Sequence, residues 1–409
     1  MCKPVLLAVA TMPPWPITNG YALRVYHLLR ELARQWRIVL ISPPAALPAT
    51  LGDLLSDYMP VALAGRWASL PSQFDTDPLE RAAAWAVETW RPQAALLWQG
   101  AEFLGFAPGF PPTVADRIDC LTLAAWRSRH HSRTARAWVS TLNDVRAYAT
   151  YERRVVRGSG ATVVVGEDDA RALRRLTGHQ TVHVIPNGVA PPPDAVTGEG
   201  AAPMVAFTGV LDYGPNVDAA CRFAETVWPG IRAAVPGARF VIAGQRPLPE
   251  VCALAREAGI EVRADVPDMY AVLREAWVAV APMACGSGIK NKVLEAWAAA
   301  RPVAMTALAT NGLVLTPDGQ DLVAHDTAGL GALVIDLLKH PERRRRLGLA
   351  LREQVLRHHR WATAASNLSA LLQASLTAGA ERRGLARAAA GTNLATPIDG
   401  NVSEGARPK

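Results

Sequence analysis

Hydrophobic and polar positions follow two rhythms along this chain, and the rhythms alternate. Residues 5–11 (VLLAVAT) form a short apolar run, followed by a Pro/Gly loop, MPPWPITNG. From residue 21 to 36 the apolar positions recur every three or four residues, so that Ala22, Val25, Tyr26, Leu29, Leu32 and Ala33 share one helical face. A second apolar run, RIVLIS, follows at 37–42. Strand, loop, helix and strand in that order predict a βαβ unit and a parallel sheet. The same reading predicts strands over 94–98, 113–116, 162–165 and 181–185. It predicts a helix over 79–89 and one or two long Arg-rich helices over 124–157.

The stretch APPPDAVTGEGAAP after residue 189 lacks periodicity and reads as a linker. A second series then starts. Strands are predicted over 204–209, 239–243, 261–263, 278–282, 302–306 and 322–325. Helices lie between them over 217–228, 250–258, 268–276 and 291–300. Three further helices, over 327–339, 341–358 and 361–376, end the ordered pattern. The fold class is α/β, with two Rossmann-like doubly wound domains facing a cleft. The boundaries are 1–187 for the first domain, 188–202 for the linker, 203–360 for the second domain, 361–376 for a closing helix and 377–409 for a disordered tail. Ligands of such sheets bind beyond the carboxyl ends of the strands, which points to the cleft.

Composition narrows the classes. Half of the 409 residues are hydrophobic and 19% are charged, which excludes a disordered or fibrous chain. A net charge of +7 permits anionic partners without identifying one. No aromatic-basic stacking surface is evident, so nucleic acid is not expected as a partner. The five cysteines show no C-x-x-C pair and no metal-ligand spacing, which suggests a reducing compartment and no bound metal. No run of 18 apolar residues is present, and the start reads as a buried strand rather than a signal peptide. A cytoplasmic protein is expected. His130-His131 and His358-His359 lie in Arg-rich stretches and read as surface residues.

The strongest chemical signal is VAVAPMACGSGIKNKVLEAWAA. A strand ends at Pro282, Gly286 and Gly288 give a flexible loop with Ser287 between them, and Lys290 and Lys292 open a helix. Free N–H groups at a helix start, a glycine loop and two lysines suit a diphosphate. Glu295, near the end of the first turn, suits a ribose diol as a two-oxygen acceptor. A plain turn with solvated lysines is the alternative. A second loop ends at Gly20, before a helix that carries Arg24. It could approach a phosphate across the cleft, or Asn19 could simply cap the helix. No dinucleotide fingerprint, Walker loop, nucleophile elbow or H-E-x-x-H motif is present.

With these residues in view, the chain resembles the retaining family-four glycosyltransferases of GT-B fold, and among them those of bacterial exopolysaccharide and surface-glycan assembly. Five stretches carry the resemblance, over about residues 4–376: PPWPITNGYALRVYHLLREL, DRIDCLT, VIPNGV, FTGVLDYGPNVDA with ARFVIAGQRP, and GSGIKNKVLEAWAAARPV. The resemblance implies transfer of a sugar, with retention and without a metal, from a nucleotide diphosphate sugar to a hydroxyl. The acceptor would be a glycan, a lipid-linked molecule or a small molecule. It implies diphosphate contacts from Gly20, Gly286, Ser287, Gly288, Lys290 and Lys292, with Glu295 on the ribose. No cofactor is expected beyond the nucleotide sugar.

Departures from the family pattern are plain. Ser287 stands where the first of two glutamates is usual, Val210 and Asn216 lie near the usual Arg and Lys, and Ala190 follows NGV. The usual histidine of the first domain is missing. Asp116 and Asp119 of ADRIDCLT lie there instead and are the candidate catalytic carboxylates, toward an acceptor or sugar hydroxyl. Capping by Asp116 and pairing of Asp119 with Arg117 are the structural alternatives. Two other functions stay open: an epimerase or hydrolase on the same fold, and a weakly catalytic nucleotide-sugar-binding protein. From Arg117 to Arg157 the chain carries nine Arg against three acids, with Trp126 and Trp138 nearby. This suggests peripheral contact with the anionic inner face of the cell membrane. The alternative is a solvated Arg face with both tryptophans in the core.

Overall fold

A computed structural model describes residues 3–63, 70–129, 135–192 and 198–392. The first sheet contains β1 (Val5–Val9), β2 (Arg37–Ser42), β3 (Leu55–Pro60), β4 (Ala94–Trp98), β5 (Thr113–Ile118), β6 (Ala161–Val164) and β7 (Val182–Val184). Its order is β3-β2-β1-β4-β5-β6-β7, with every pairing parallel. The second sheet contains β8 (Met204–Val210), β9 (Arg239–Gln245), β10 (Ile260–Ala264), β11 (Val278–Ala281), β12 (Val303–Thr306) and β13 (Val323–Ala324). Its order is β10-β9-β8-β11-β12-β13, again all parallel. Strands covered on both faces must be apolar throughout, and β1 (VLLAV) and β11 (VAVA) are buried at every position. In each sheet the chain turns back beside its first strand, at β1/β4 and at β8/β11, the switch points where such sheets open a crevice.

The helices of the first domain are α1 (Gly20–Leu32), α2 (Ala49–Gly52), α3 (Asp77–Trp90), α4 (Leu121–Ser128), α5 (Ala135–Gly158) and α6 (Glu167–Thr177). Those that follow are α7 (Gly214–Thr226), α8 (Trp228–Ala234), α9 (Pro249–Ala253), α10 (Met269–Glu275), α11 (Asn291–Ala298), α12 (Pro317–Gln320), α13 (Thr327–Lys339), α14 (Pro341–His358) and α15 (Trp361–Thr392). Helix α1 starts where its sequence says it should: the Asn19 side chain accepts from Ala22 N at 2.9 Å, the ordinary N-cap contact.

The chain crosses between the domains twice, at one place. Val189 N donates to His359 O at 2.9 Å, and the His359 ring lies with Nδ1 3.0 Å from Asn187 O. His359 is therefore buried, not at the surface, and burial holds its pKa below the usual value. His130-His131 lie outside the described residues. After the second crossing, α15 packs into the first domain's core through Trp361, Ala364, Ala365, Leu368 and Leu372. Trp361 stacks on His27 at 4.8 Å, and Trp36 Nε1 donates to Ser369 Oγ at 2.9 Å.

Several elements differ from the sequence reading. Strand β3 and helices α2, α6, α8 and α12 are additions to it. Helix α15 continues to Thr392, where a disordered tail was expected from 377; the added run, AGAERRGLARAAAGT, is rich in Ala and Arg, which favour helix.

Candidate functional site

The site lies where the carboxyl ends of the two sheets face each other. On the second domain's side, β11 ends at Ala281 and the loop through Gly286, Ser287 and Gly288 leads into α11. Gly286 and Gly288 have φ of 98° and 69°, which turns the loop's backbone back over the helix start. Lys290 is buried and its Nζ donates to Ser287 O at 2.7 Å and Gly288 O at 2.9 Å. The ammonium thus stitches the loop from beneath. Burial lowers its pKa to about 8 although Asp169 and Asp119 oppose the shift.

Lys292 points elsewhere. Its Nζ donates to Asn216 Oδ1 at 2.8 Å and lies 3.8 Å from the centre of the Phe207 ring, at the carboxyl end of β8. Asn216 is held in turn by donating to Val210 O at 2.9 Å. Val210 and Asn216 are the places where the resemblance leads one to expect cations. Here the positive charge at the end of β8 arrives from α11. Burial, with repulsion from Lys290, lowers the Lys292 pKa to about 7. The Glu295 side chain, one turn along α11, forms no hydrogen bond with any described residue, and burial raises its pKa to about 7. A shielded carboxylate without a donor beside two shielded lysines is an arrangement that awaits a ligand's hydroxyls and negative charge.

From the first domain, Asp119 reaches into this loop: its Oδ2 accepts from Ser287 Oγ at 2.8 Å. Burial and the neighbouring Asp169 raise its pKa to about 6. The residue before it, Ile118, has φ of 64°. A β-branched side chain rarely adopts that conformation, and the strain falls where the backbone aims Asp119 at the cleft.

Asp116 does not share this position. It is fully buried, with Oδ2 accepting from Arg24 Nε at 2.7 Å and Oδ1 from Ile118 N at 3.2 Å. Arg24 also donates to Ile185 O and to Asn187 Oδ1, so its buried guanidinium ties the carboxyl end of β5 to the segment after β7. Of the two carboxylates read from the sequence, the cleft receives Asp119. Arg117 does not pair with Asp119 either. It turns inward between Glu102 and Glu152 at 2.6 and 2.9 Å. Gly20 lies against α11: a Cβ there would sit 3.0 Å from Asn291 Nδ2. Asn291 accepts from Asn187 at 2.9 Å.

Three residues of the site escaped the sequence reading. Asp169 of α6 accepts from Cys120 N, Gly288 N and Asn311 Nδ2. Asn311 follows β12 in the second domain. Arg127, assigned from sequence to a membrane-facing set, instead bonds Asp168 at 2.8 Å and Gly286 O at 3.3 Å. The available signal was the run EDDAR directly after an apolar strand, which marks a helix start at a carboxyl edge. Among the described residues no cluster of three or more His, Cys, Asp or Glu could hold a metal ion.

Comparison with known proteins agrees with this geometry. Residues 202–340, the part that carries the loop and both lysines, match the sequence family described as Glycosyl transferases group 1. The fold matches sucrose-phosphate synthase from Thermosynechococcus elongatus with a TM-score of 0.73 at 14% identity, over 92% of this chain and 100% of that one. The chain has the two-domain GT-B fold. HepE of Anabaena, solved with UDP and glucose, matches with a TM-score of 0.66 at 11% identity, covering 91% of this chain and 100% of that one. WaaG, a glycosyltransferase involved in lipopolysaccharide biosynthesis, matches at 0.64 and 12% identity, over 90% and 99%. No curated protein matches by sequence.

Proposed function

We propose that this GT-B protein transfers a sugar from a nucleotide diphosphate sugar to an acceptor hydroxyl, with retention of configuration and without a metal. The observation that carries the reading is the α11 start, where Lys290, Lys292, the Gly286–Gly288 backbone and an undonated Glu295 fall within ten consecutive residues. The lysines and loop N–H groups neutralise the leaving diphosphate, the task a metal would otherwise perform. Glu295 accepts from the ribose hydroxyls. Asp119, across the cleft at Ser287, meets a hydroxyl of the sugar or the acceptor. The likeness to HepE, solved with UDP and glucose, and to WaaG supports a sugar nucleotide as donor and a surface glycan or its lipid-linked precursor as acceptor.

The acceptor class suggests where the protein works. We place it at the inner face of the cell membrane, held peripherally through α5. Among the described residues no helix is long and apolar enough to cross a membrane.

A thermal-shift panel of nucleoside diphosphates and their sugars tests the donor reading, because a ligand at 100 times its Kd stabilises by about 2.7 kcal/mol. At least one sugar nucleotide should shift the melting temperature, and Glu295→Gln should weaken it by about 1.5–3 kcal/mol. The 2′,3′-dideoxy nucleotide should lose little more in that variant. No shift with any sugar nucleotide overturns the donor reading. Binding and hydrolysis with no sugar passed to any acceptor would leave a nucleotide-sugar-binding protein.

A further inference from the structure

Helix α6 lacks a cap of its own. Its N-cap residue is Gly166, which has no side chain to offer the free N–H groups of the first turn. The missing acceptor comes from the other domain: Asn311 Oδ1 accepts from Asp168 N at 3.1 Å. The same amide donates through Nδ2 to Asp169 Oδ2 at 2.7 Å. Asn311 is buried, and it fits only because position 166 is glycine, where a Cβ would lie 2.3 Å from Oδ1. The approach is equally close next door, since a Cβ on Gly312, at φ 81°, would lie 2.7 Å from Val165 O. One domain therefore completes a helix of the other.

Asp169 connects this joint to the site. Its Oδ1 accepts from Cys120 N at 3.0 Å, one residue beyond Asp119. Its Oδ2 also accepts from Gly288 N at 3.3 Å, in the loop between the glycines. A single carboxylate is thus bonded to the strand end that carries Asp119 and to the loop that contacts Asp119 through Ser287. We propose that Asn311 and the start of α6 form a latch between the two domains, and that Asp169 is the positioning residue through which the latch sets the donor loop. The latch stands on geometry alone; its consequence for turnover rests on the glycosyltransferase reading.

Amide hydrogen exchange of the full chain tests the latch without any substrate. Asn311→Ala should speed exchange roughly five- to tenfold in peptides covering 166–170, the factor for a lost cap. It should speed exchange comparably over 286–290, in the other domain, while the sheet strands keep their protection. Asp169→Asn keeps an acceptor for Cys120 N but turns an NH2 toward both Gly288 N and Asn311 Nδ2, and should release 286–290 and loosen 166–170. In the Asn311→Ala background the space beside Gly166 is free, so adding Gly166→Ser supplies a local cap. That double variant should restore 166–170 and leave 286–290 fast. Protection at 286–290 unchanged in both Asn311→Ala and Asp169→Asn overturns the proposal, as does its recovery in the double variant. With a sugar nucleotide that the panel identifies, Asp169→Asn should lower kcat at least tenfold while changing the affinity for the nucleoside diphosphate less than twofold. Equal losses in both would remove the positioning role and leave the latch to the exchange data.

Discussion

Lys292 and Glu295 sit one turn apart on α11 and titrate in the same range from opposite directions. Burial pushes the ammonium down to about 7 and the carboxyl up to about 7, and each partly offsets the other's shift. At pH 8 the lysine is therefore largely neutral and the glutamate largely ionised. A bound diphosphate brings negative charge against Lys292 and Lys290 and favours their charged forms, so their pKa values rise. The sign follows: binding at pH 8 takes protons up. At pH 6, where the lysines are already charged, ribose hydroxyls donating to Glu295 favour its ionised form, and binding releases protons. Calorimetry of the nucleoside diphosphate in buffers of different ionisation enthalpy should show uptake on the order of one proton at pH 8. Most of it should vanish in Lys292→Ala. Release at pH 8, or the same uptake in the variant, would remove the phosphate from Lys292. These residues were legible in sequence because strand, glycine loop and helix start lie within about 20 consecutive positions. Asp169 and Asn311 were not, because each gains its meaning from a partner more than 100 residues away in the other domain. Asp116 and Asp119 read alike as letters. Only the buried guanidinium of Arg24 distinguishes them.

At the scale of elements, the two βαβ series were read well because strands covered on both faces are near-continuous apolar runs. Strand β3 (LSDYMP) is an edge strand, half-buried at most positions, and carries Asp57 and Pro60, so its pattern says little. Helix α6 opens with three acidic residues and is strongly charged, so its apolar face is reduced to Ala170 and Leu173 among the buried positions. The polar loops between elements also hide a buried network. Arg117, at the end of β5, is wholly buried and bonds Glu102 and Glu152. Glu102 also accepts from Gly100 N and Tyr151, and Glu152 from Leu121 N, Thr122 N and Thr122 Oγ. One guanidinium thus holds β5, the start of α4, α5 and the turn after β4 in register beneath Asp119. Arg117→Met leaves two buried carboxylates without a cation, and breaking such a pair costs about 3–5 kcal/mol. Urea unfolding should show a loss of that size in the first domain's transition. A loss below about 1 kcal/mol would mean that the carboxylates find water instead.

For the molecule as a whole, the outer face of α5 is the largest feature that neither the cleft nor the core uses. Arg136, Arg146, Arg153, Arg154 and Arg157 are exposed and fall within one side of the helix, spread over about 30 Å at 1.5 Å per residue. Among the described residues none of the five has an acidic partner. Arg154 lies 4.5 Å over the Phe106 ring, and with Arg153 and Arg157 it lines a shallow groove of about 650 Å³. Trp126 and Trp138 are each 47% exposed and Val139 52%, which settles that the tryptophans are not core residues. The basic set read from the sequence shifts accordingly. Arg117 and Arg127 are engaged inside the protein, Arg133 lies outside the described residues, and Arg129 stacks on Trp126 at 3.6 Å. An unpaired Arg stripe beside exposed indoles suits a surface of anionic head groups. Each Arg near such a surface contributes about 1 kcal/mol, so four give reversible attachment rather than permanent anchoring. Sedimentation with liposomes containing an anionic phospholipid should capture the protein, and liposomes of neutral lipid should not. Raising the salt from about 0.1 to about 1 M shortens the screening length from about 10 to about 3 Å and should release it. Replacing Arg146, Arg153, Arg154 and Arg157 with Ser should abolish capture while leaving nucleotide binding intact, since none of them reaches the cleft. Trp138→Ser should weaken capture without changing its salt dependence. Capture that ignores lipid charge, or none at all, would remove the membrane from the proposed function and leave the stripe as a solvated face.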